Sequence, residues 1–549
     1  MKRLCQFSFV LFFCITAAQN SISQVPDFTV QTPVFRKDTF NILQYGAVAD
    51  GITDNTAAIQ RAILTCNTKK GGVVLVPPGF WLTGPIVLKS NVELHLQKNA
   101  LLLFTGDHKK FKLVKGNWEG LPAYRNQSPV SAENEVNIAI TGQGIIDGNG
   151  DTWRSIKKDK LTETQWNRLV KSGGKVSEDK KTWYPSESYY LGAKTDHPGV
   201  IKDGSSLEDA APIKEYLRPN MLVFTSCRLI LIEGVTFQNS PAWTLHPLLC
   251  ENLTIRNITV KNPWNGQNTD GLDIESCKNI LLENSSFDVG DDGICIKSGR
   301  DEAGRKRGIP TENLIVRNCM VYHAHGGFVV GSEMSGGAKN LYLSNCSFIG
   351  TDVGLRFKTT RGRGGVVEKV YIDHVNMKDI VGEAILFDMY YMAKDPVPLA
   401  GEKREEPAAD LQPVTEETPV FRDFHISDIF CSGADKAIFI RGLPEMKIKQ
   451  IYLNNLVLQT DQGIVCEDAD SIYFKNVFLA AAHNNPLINC KNSSNIHFDG
   501  IAFREAALLL LADGAASKAI RIKTKGDQVP VKVVQTVNGA DAESVQVLP

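Results

Sequence analysis

Three aspartates, a histidine, an arginine and a lysine stand at matching points in four consecutive segments of this 549-residue chain. The segments are residues 268–277 (NTDGLDIESC), 289–299 (VGDDGICIKSG), 323–333 (HAHGGFVVGSE) and 351–365 (TDVGLRFKTTRGRGG). Aligned on Gly271, Gly293, Gly327 and Gly354, each continues as apolar, any, apolar: Leu272 and Ile274, Ile294 and Ile296, Phe328 and Val330, Leu355 and Phe357. That alternation is a strand with every second side chain turned inward. With the four strands side by side, Asp270 falls over Asp292 and Asp291 over His325. Arg356 shares a column with Asp273, and Lys358 shares one with Lys297. Carboxylates gathered in this way suit hydrolysis by general acid and base: one carboxyl protonates a leaving oxygen while a carboxylate activates water. Asp270 and Asp292, one strand spacing of about 4.8 Å apart, suit a shared water. Asp291, the chain neighbour of Asp292, points elsewhere and is the better proton donor. Crowding three acids raises the proton affinity of at least one. A single aspartate here would read as a turn residue; the register of three makes a site.

The elements that must position these residues form a repeat. A second strand motif (apolar, any, apolar, any, then Asn, Asp or Gly) recurs as LTIRNITV from Leu253, ILLENSSF from Ile280, LIVRNCMV from Leu314, LYLSNCSF from Leu341 and VYIDHVNM from Val370. It returns from Phe424, Ile451, Ile472 and Ile496. The period is that of a solenoid, and units so small must stack to bury their apolar faces. Helical periodicity is almost absent. The predicted fold is all-β: a right-handed parallel β-helix, with Asn and Asp at its corners, where they tolerate left-handed backbone.

Composition agrees with one long solenoid. Hydrophobic residues make up 43% of the chain, enough for a continuous core, and the formal net charge of −1 excludes nucleic acid or an anionic membrane as the main partner. Positive charge is local instead: Lys297, Arg300, Arg305, Lys306, Arg307, Arg356, Lys358, Arg361 and Arg363 fall in or just after the site segments. They read as solvated surface or as an anion-binding cleft. The second reading is favoured because Arg356 and Lys358 take outward strand positions beside the acids. Lys2 and Arg3, followed by an apolar stretch from Phe7 to about Ala18 and the small residues Ser21 and Ser23, predict a signal peptide over 1–23 and export of the mature chain, residues 24–549, as one domain. No later run suits a membrane span. Ten cysteines remain after such cleavage, and Cys319 and Cys346 share a repeat column, so buried stacked thiols are expected. No CxxC pair is present, and neither a metal nor a cofactor is expected.

A helix over 55–66, capped by Asp54, is expected to cover the first coil, with Ala58, Ile59, Ala62 and Ile63 on its inner face. Two stretches break the repeat, at about 153–216 and 390–420. The first holds a capping box, Thr162 with Gln165; the second is rich in proline. Both read as loops shaping a site or as surface decoration. His246 and Trp243 fit the cleft or the corner and core equally well. Asp273 fits a supporting or a substrate-contacting place, and Lys297 a neutralising one.

The motifs Asn268-Thr269-Asp270, Gly290-Asp291-Asp292, His325-Gly326 and Arg356-Phe357-Lys358 resemble, in order, those of family 28 glycoside hydrolases, the polygalacturonases. The similarity extends to FNILQYGAVADG and NSPAWTLHP and covers most of the mature chain. Ala324 and Phe357 depart from the usual pattern, and Gly331-Ser332-Glu333 with the long insertions looks like the bacterial exo-acting branch. The resemblance implies inverting hydrolysis of α-linked galacturonate in pectic polymers. Asp291 would be the acid, Asp270 and Asp292 would activate water, and His325 would tune Asp291. Arg356 and Lys358 would hold a substrate carboxylate, with Tyr391, Asn268, Glu333 and His246 on the substrate side. Two other classes stay in view: a pectate-type lyase with calcium on the three aspartates, and a glycan-binding β-helix without catalysis.

Overall fold

Alternating apolar residues lock the repeat together rung by rung. The computed structural model describes residues 26–391 and 410–548. Among these, 33 strands join into one array of parallel pairings, coiled as a right-handed β-helix with three sheet faces. The predicted signal peptide lies outside the described residues, as does most of the second insertion. Inward side chains such as Leu272, Ile294, Phe328 and Leu355 meet in register and are buried along the axis of the coil. The corners carry the predicted left-handed residues; Asn252, Asn279, Asn313 and Asn340 all have positive φ, and Asn340 donates to Asn313, which donates to Asn279. Ten cysteines among the described residues are free and buried; Cys319 and Cys346 share a column as expected, their neighbours Met320 and Ser347 being paired, and Cys466 and Cys490 stack in the same way.

Helix α1 (Thr56–Thr68) closes the first coil with Ala58, Ile59, Ala62, Ile63 and Cys66 buried. It starts one residue later than expected. Asp54 accepts from the Thr56 amide, while the Asn55 side chain is buried and bound to Val48, Thr53 and Leu82. The capping box at Thr162 and Gln165 is present ahead of α2 (Glu163–Lys171).

Five consecutive strands of one face position the site: β1 (Leu245–Leu248), β2 (Leu272–Glu275), β3 (Ile294–Lys297), β4 (Phe328–Val330) and β5 (Leu355–Lys358). An antiparallel hairpin, Leu113–Trp118 with Leu121–Asn126, leaves the coil and reaches over this face. The first insertion, read as a site-shaping loop or surface decoration, gives no lining residue to the site cavity. It buttresses the hairpin instead. The Tyr124 amide donates to the Gly199 carbonyl, the Tyr124 hydroxyl to Ser205, and Tyr124 packs with Ala210, Ile213 and Leu217.

Candidate active site

The registers place every expected column. Asp273 pairs with Cys295, Val329 with Arg356, and the His325 amide donates to the Asp291 carbonyl. Oxygens of Asp270, Asp291 and Asp292 lie within 4.8 Å of one another. They face a cavity of about 250 Å³ lined also by Asn268, Glu333, Lys297, Arg300, His325, Arg356, Lys358, Arg363 and Tyr391. Of the nine cations marked in the sequence, five line this cavity. Arg305 turns to Glu416 and Glu417, Lys306 to Glu302, Arg307 to Glu275 and Arg361 to Glu445.

Asp292 is the electrostatic centre. The Arg356 guanidinium lies 3.0 Å from Oδ1 and the Lys358 ammonium 2.7 Å from Oδ2. Both cations reach across β4, where the residues opposite them are Val329 and Gly331 and offer no competing charge. Burial pushes the Asp292 carboxyl upward, but Lys358, Arg356 and Lys297 outweigh it and hold the group well below the usual range. Among the described residues Asp270 has no cation in direct contact, and the charge of Lys297 on it is outweighed. Burial and the charges of Asp273 and Asp291 push its proton affinity well up. Burial first and the neighbouring acids second thus raise Asp270 and Asp273, whereas Asp291 is lowered. Against burial, the hydrogen bond and charge of His325, whose Nδ1 lies 3.4 Å from Oδ1, keep Asp291 down.

His325 sits between two acids. Its Nε2 is 3.7 Å from Asp352, and although burial lowers the imidazole, Asp291, Asp292 and Asp352 together raise it. Asp352 was missed in the sequence, yet it stands two residues before Gly354, in the column of Asp291 and His325. Glu333, at the other end, is tied to Lys297 at 2.9 Å; burial is outweighed by Lys297 and Arg363, which hold it down at about 2. The Tyr391 ring lies over the Lys358 ammonium at 4.9 Å and the Arg356 guanidinium at 5.8 Å. Asn268 is fixed by Arg218, which donates to its Oδ1 at 2.8 Å.

Two findings depart from expectation. His246 does not line the cavity with the acids. It is buried, its Nε2 2.9 Å from Glu275 and its Nδ1 3.1 Å from Asn220, because it lies one rung before Asp273 in the same column, on the other side of the hairpin. The hairpin instead brings Glu119 into the cavity, 3.1 Å from Arg300. Its Glu119-Gly120 turn has positive φ at both residues, the tight two-residue hairpin geometry that the Gly hinted at. As for metals, Asp270, Asp291 and Asp292 are the donor set among the described residues. Each oxygen of Asp292 already meets a cation, so a calcium ion there would bind against the charges of Arg356 and Lys358.

Three rungs of carboxylates on a rigid parallel coil, one carboxylate held ionised and another beside an imidazole, define a β-helical hydrolase of the acid–base type. Residues 202–402 match the profile of glycosyl hydrolases family 28, and residues 39–156 that of rhamnogalacturonase A/epimerase, pectate lyase-like proteins. A hyperthermoactive exopolygalacturonase from Thermotoga maritima superposes with a TM-score of 0.63 at 30% identity, covering 87% of this chain and 94% of that one. The chain is 27% identical over 490 residues to the exo-poly-alpha-D-galacturonosidase of Dickeya chrysanthemi (86% of this chain, 75% of that protein). It is 28% identical over 433 residues to a probable polygalacturonase of Vitis vinifera (77% of this chain, 74% of that protein). The chain belongs to glycosyl hydrolases family 28 and is a glycoside hydrolase.

Proposed function

We propose that this hydrolase removes galacturonate units one at a time from the ends of pectic chains, with inversion at the anomeric carbon. The observation that carries the reading is a wall across one end of the cavity. The hairpin turn meets the loop after β3, where the Arg300 amide donates to the Gly120 carbonyl at 3.3 Å. A chain end fits behind that bridge; a continuing polymer does not. The relatives named exo-acting, from Thermotoga maritima and Dickeya chrysanthemi, support the same mode.

In this reading Asp292, held ionised, takes the proton of a water shared with Asp270. Asp291 gives the leaving oxygen its proton, drawn from the pair it forms with His325. A substrate carboxylate settles on Arg356 and Lys358 under Tyr391, while Asn268 and Glu333 meet hydroxyls. The acids stand closer than the ~6.5–9.5 Å usual for inversion, so a single water held between Asp270 and Asp292 has to reach the anomeric carbon on the face opposite the leaving oxygen. The raised proton affinity of Asp270 favours a second assignment, with Asp270 as donor. An aryl galacturonide with a good leaving group separates them: the substitution that removes the acid is rescued on it, and the one that removes the base is not. Export rests on Lys2, Arg3 and the apolar stretch behind them, and the amino-terminal sequence of the secreted enzyme tests it. On long pectate, exo attack leaves early viscosity almost unchanged while monomer accumulates. A fast fall in viscosity with mixed oligomers would overturn the mode of attack, and an α-anomer as first product would overturn inversion.

A further inference from the structure

The hairpin does more than cap the cavity. It divides the groove on this face in two. On one side lies the 250 Å³ cavity with Glu119 and the acids; on the other lies a cavity of about 650 Å³, lined by Asn117, Arg125, Lys115 and Lys89 over the coils before β1. A partition between two open spaces needs a fastening, and the floor supplies one. Glu275, the last residue of β2, is fully buried. Its Oε2 accepts from His246 on β1 at 2.9 Å, and its Oε1 accepts from Arg307, at the end of α3 (Asp301–Arg307), and from Asn117 on the hairpin at 3.5 Å. Asn117 in turn accepts from the Gly120 amide at 3.0 Å and so shapes the turn that carries Glu119. An aromatic stack runs beside this hub. Trp243 stands edge-on to His246, lies parallel to Trp118 of the hairpin at 5.7 Å, and Arg125 covers the outer face of Trp118.

We propose that Glu275 is the positioning residue that fastens the hairpin to the floor of the groove, and through it sets cleavage at the chain end. The proposal rests on the exo reading above. A buried carboxylate with no place in the chemistry is otherwise hard to account for, since removing it from water is unfavourable unless each oxygen is occupied. Here both oxygens are occupied, by donors from three segments that are far apart in the chain. Release of the hub joins the two cavities. The outer cavity, lined by the exposed Lys115, by Lys89 beside Glu135 and by Arg125 against Trp118, then offers a path for further galacturonate units of the same chain.

The test compares the full-length enzyme with Glu275→Gln, Arg307→Met and Asn117→Ala on a reducing-end-labelled decagalacturonate, with products resolved by size over time. Each variant is first checked for a cooperative thermal transition. The expected result is monomer alone from the parent and early internal cuts from the variants, strongest for Glu275→Gln. KM for the shortest substrate should rise about tenfold, or about 1.4 kcal/mol, with kcat little changed. Arg307→Lys should restore part of the end-specific pattern. If folded variants still release monomer alone, the proposal fails while the exo reading stands. If the parent itself cuts internally, the exo reading fails and takes this proposal with it. Where Glu275→Gln does not fold, Arg307→Met and Asn117→Ala decide on the same readout.

Discussion

The same face of the coil carries charged side chains both within the site and in the rungs beyond it, and the two regions use them differently. After β5 the charges pair with the next rung. Asp388 is opposite Arg441 and bound to it at 3.0 and 2.9 Å; Glu467 is opposite Lys491 at 2.8 Å. Within the site Lys297 still pairs with Asp273 and Glu333 on the rungs beside it, but Arg356 and Lys358 skip a rung, because Val329 stands opposite Arg356 with Gly331 just past the strand, and both cations converge on Asp292. Gly326 keeps the path open; a Cβ there would come within 3.3 Å of the Arg356 side chain. Neighbour pairing neutralises charge and holds adjacent rungs. Convergence concentrates positive charge beside one carboxylate, fixing its ionisation and leaving two cations near the place where an anionic sugar would dock.

The sharpest way to break this contrast is Asp292→Asn. It leaves two buried cations without their shared partner, and a loss of about 3–5 kcal/mol of stability is expected, together with nearly all turnover. Chemical unfolding and initial rates read the two effects, and a stable, active variant would refute the convergence argument. Asp291→Asn should lower turnover by about 10²–10⁴-fold on an unactivated galacturonide while inhibitor binding survives. A variant that keeps most of its activity would remove Asp291 from the donor's role.

Arg356→Ala and Lys358→Ala should each cost about 2–5 kcal/mol in kcat/KM for galacturonides, with little change for neutral galactosides. Equal losses on both would point to Asp292 alone as their partner. The pH dependence follows from His325. Its folded-state pKa is raised, so the stabilisation from its pairing with Asp291 and Asp352 is fully present below the unfolded value of about 6.5 and is lost as pH rises through the folded value. The alkaline limb of the rate profile should follow the same proton. His325→Asn should move that limb to lower pH, since the proton must then reside on a carboxyl; an unmoved limb would assign it to another group. The smallest effect belongs to the rungs beyond the site. Lys491→Ala removes a half-exposed neighbour pair and should change stability by roughly 0–1 kcal/mol and kinetics not at all.

The chain order alone determined the coil, the columns and the gathering of acids with His325. Strand periodicity is local, and parallel rungs one repeat apart turn equal sequence offsets into spatial neighbours. That is why Asp270 over Asp292 and Asp291 over His325 were legible, and why Asp352 was available to the same reading. What leaves the repeat was not legible. The hairpin that brings Glu119 into the cavity and the turn of Arg307 away from it depend on where irregular segments fold back, and no register constrains them. The ionisation of the acids was likewise decided in three dimensions. Asp291 and Asp292 are adjacent in the chain, but His325 meets one and two cations reach the other across a rung, while Asp270, with burial and like charges around it, keeps its proton more tightly than either. Proton affinity follows from distance and burial, which only the packed coil supplies.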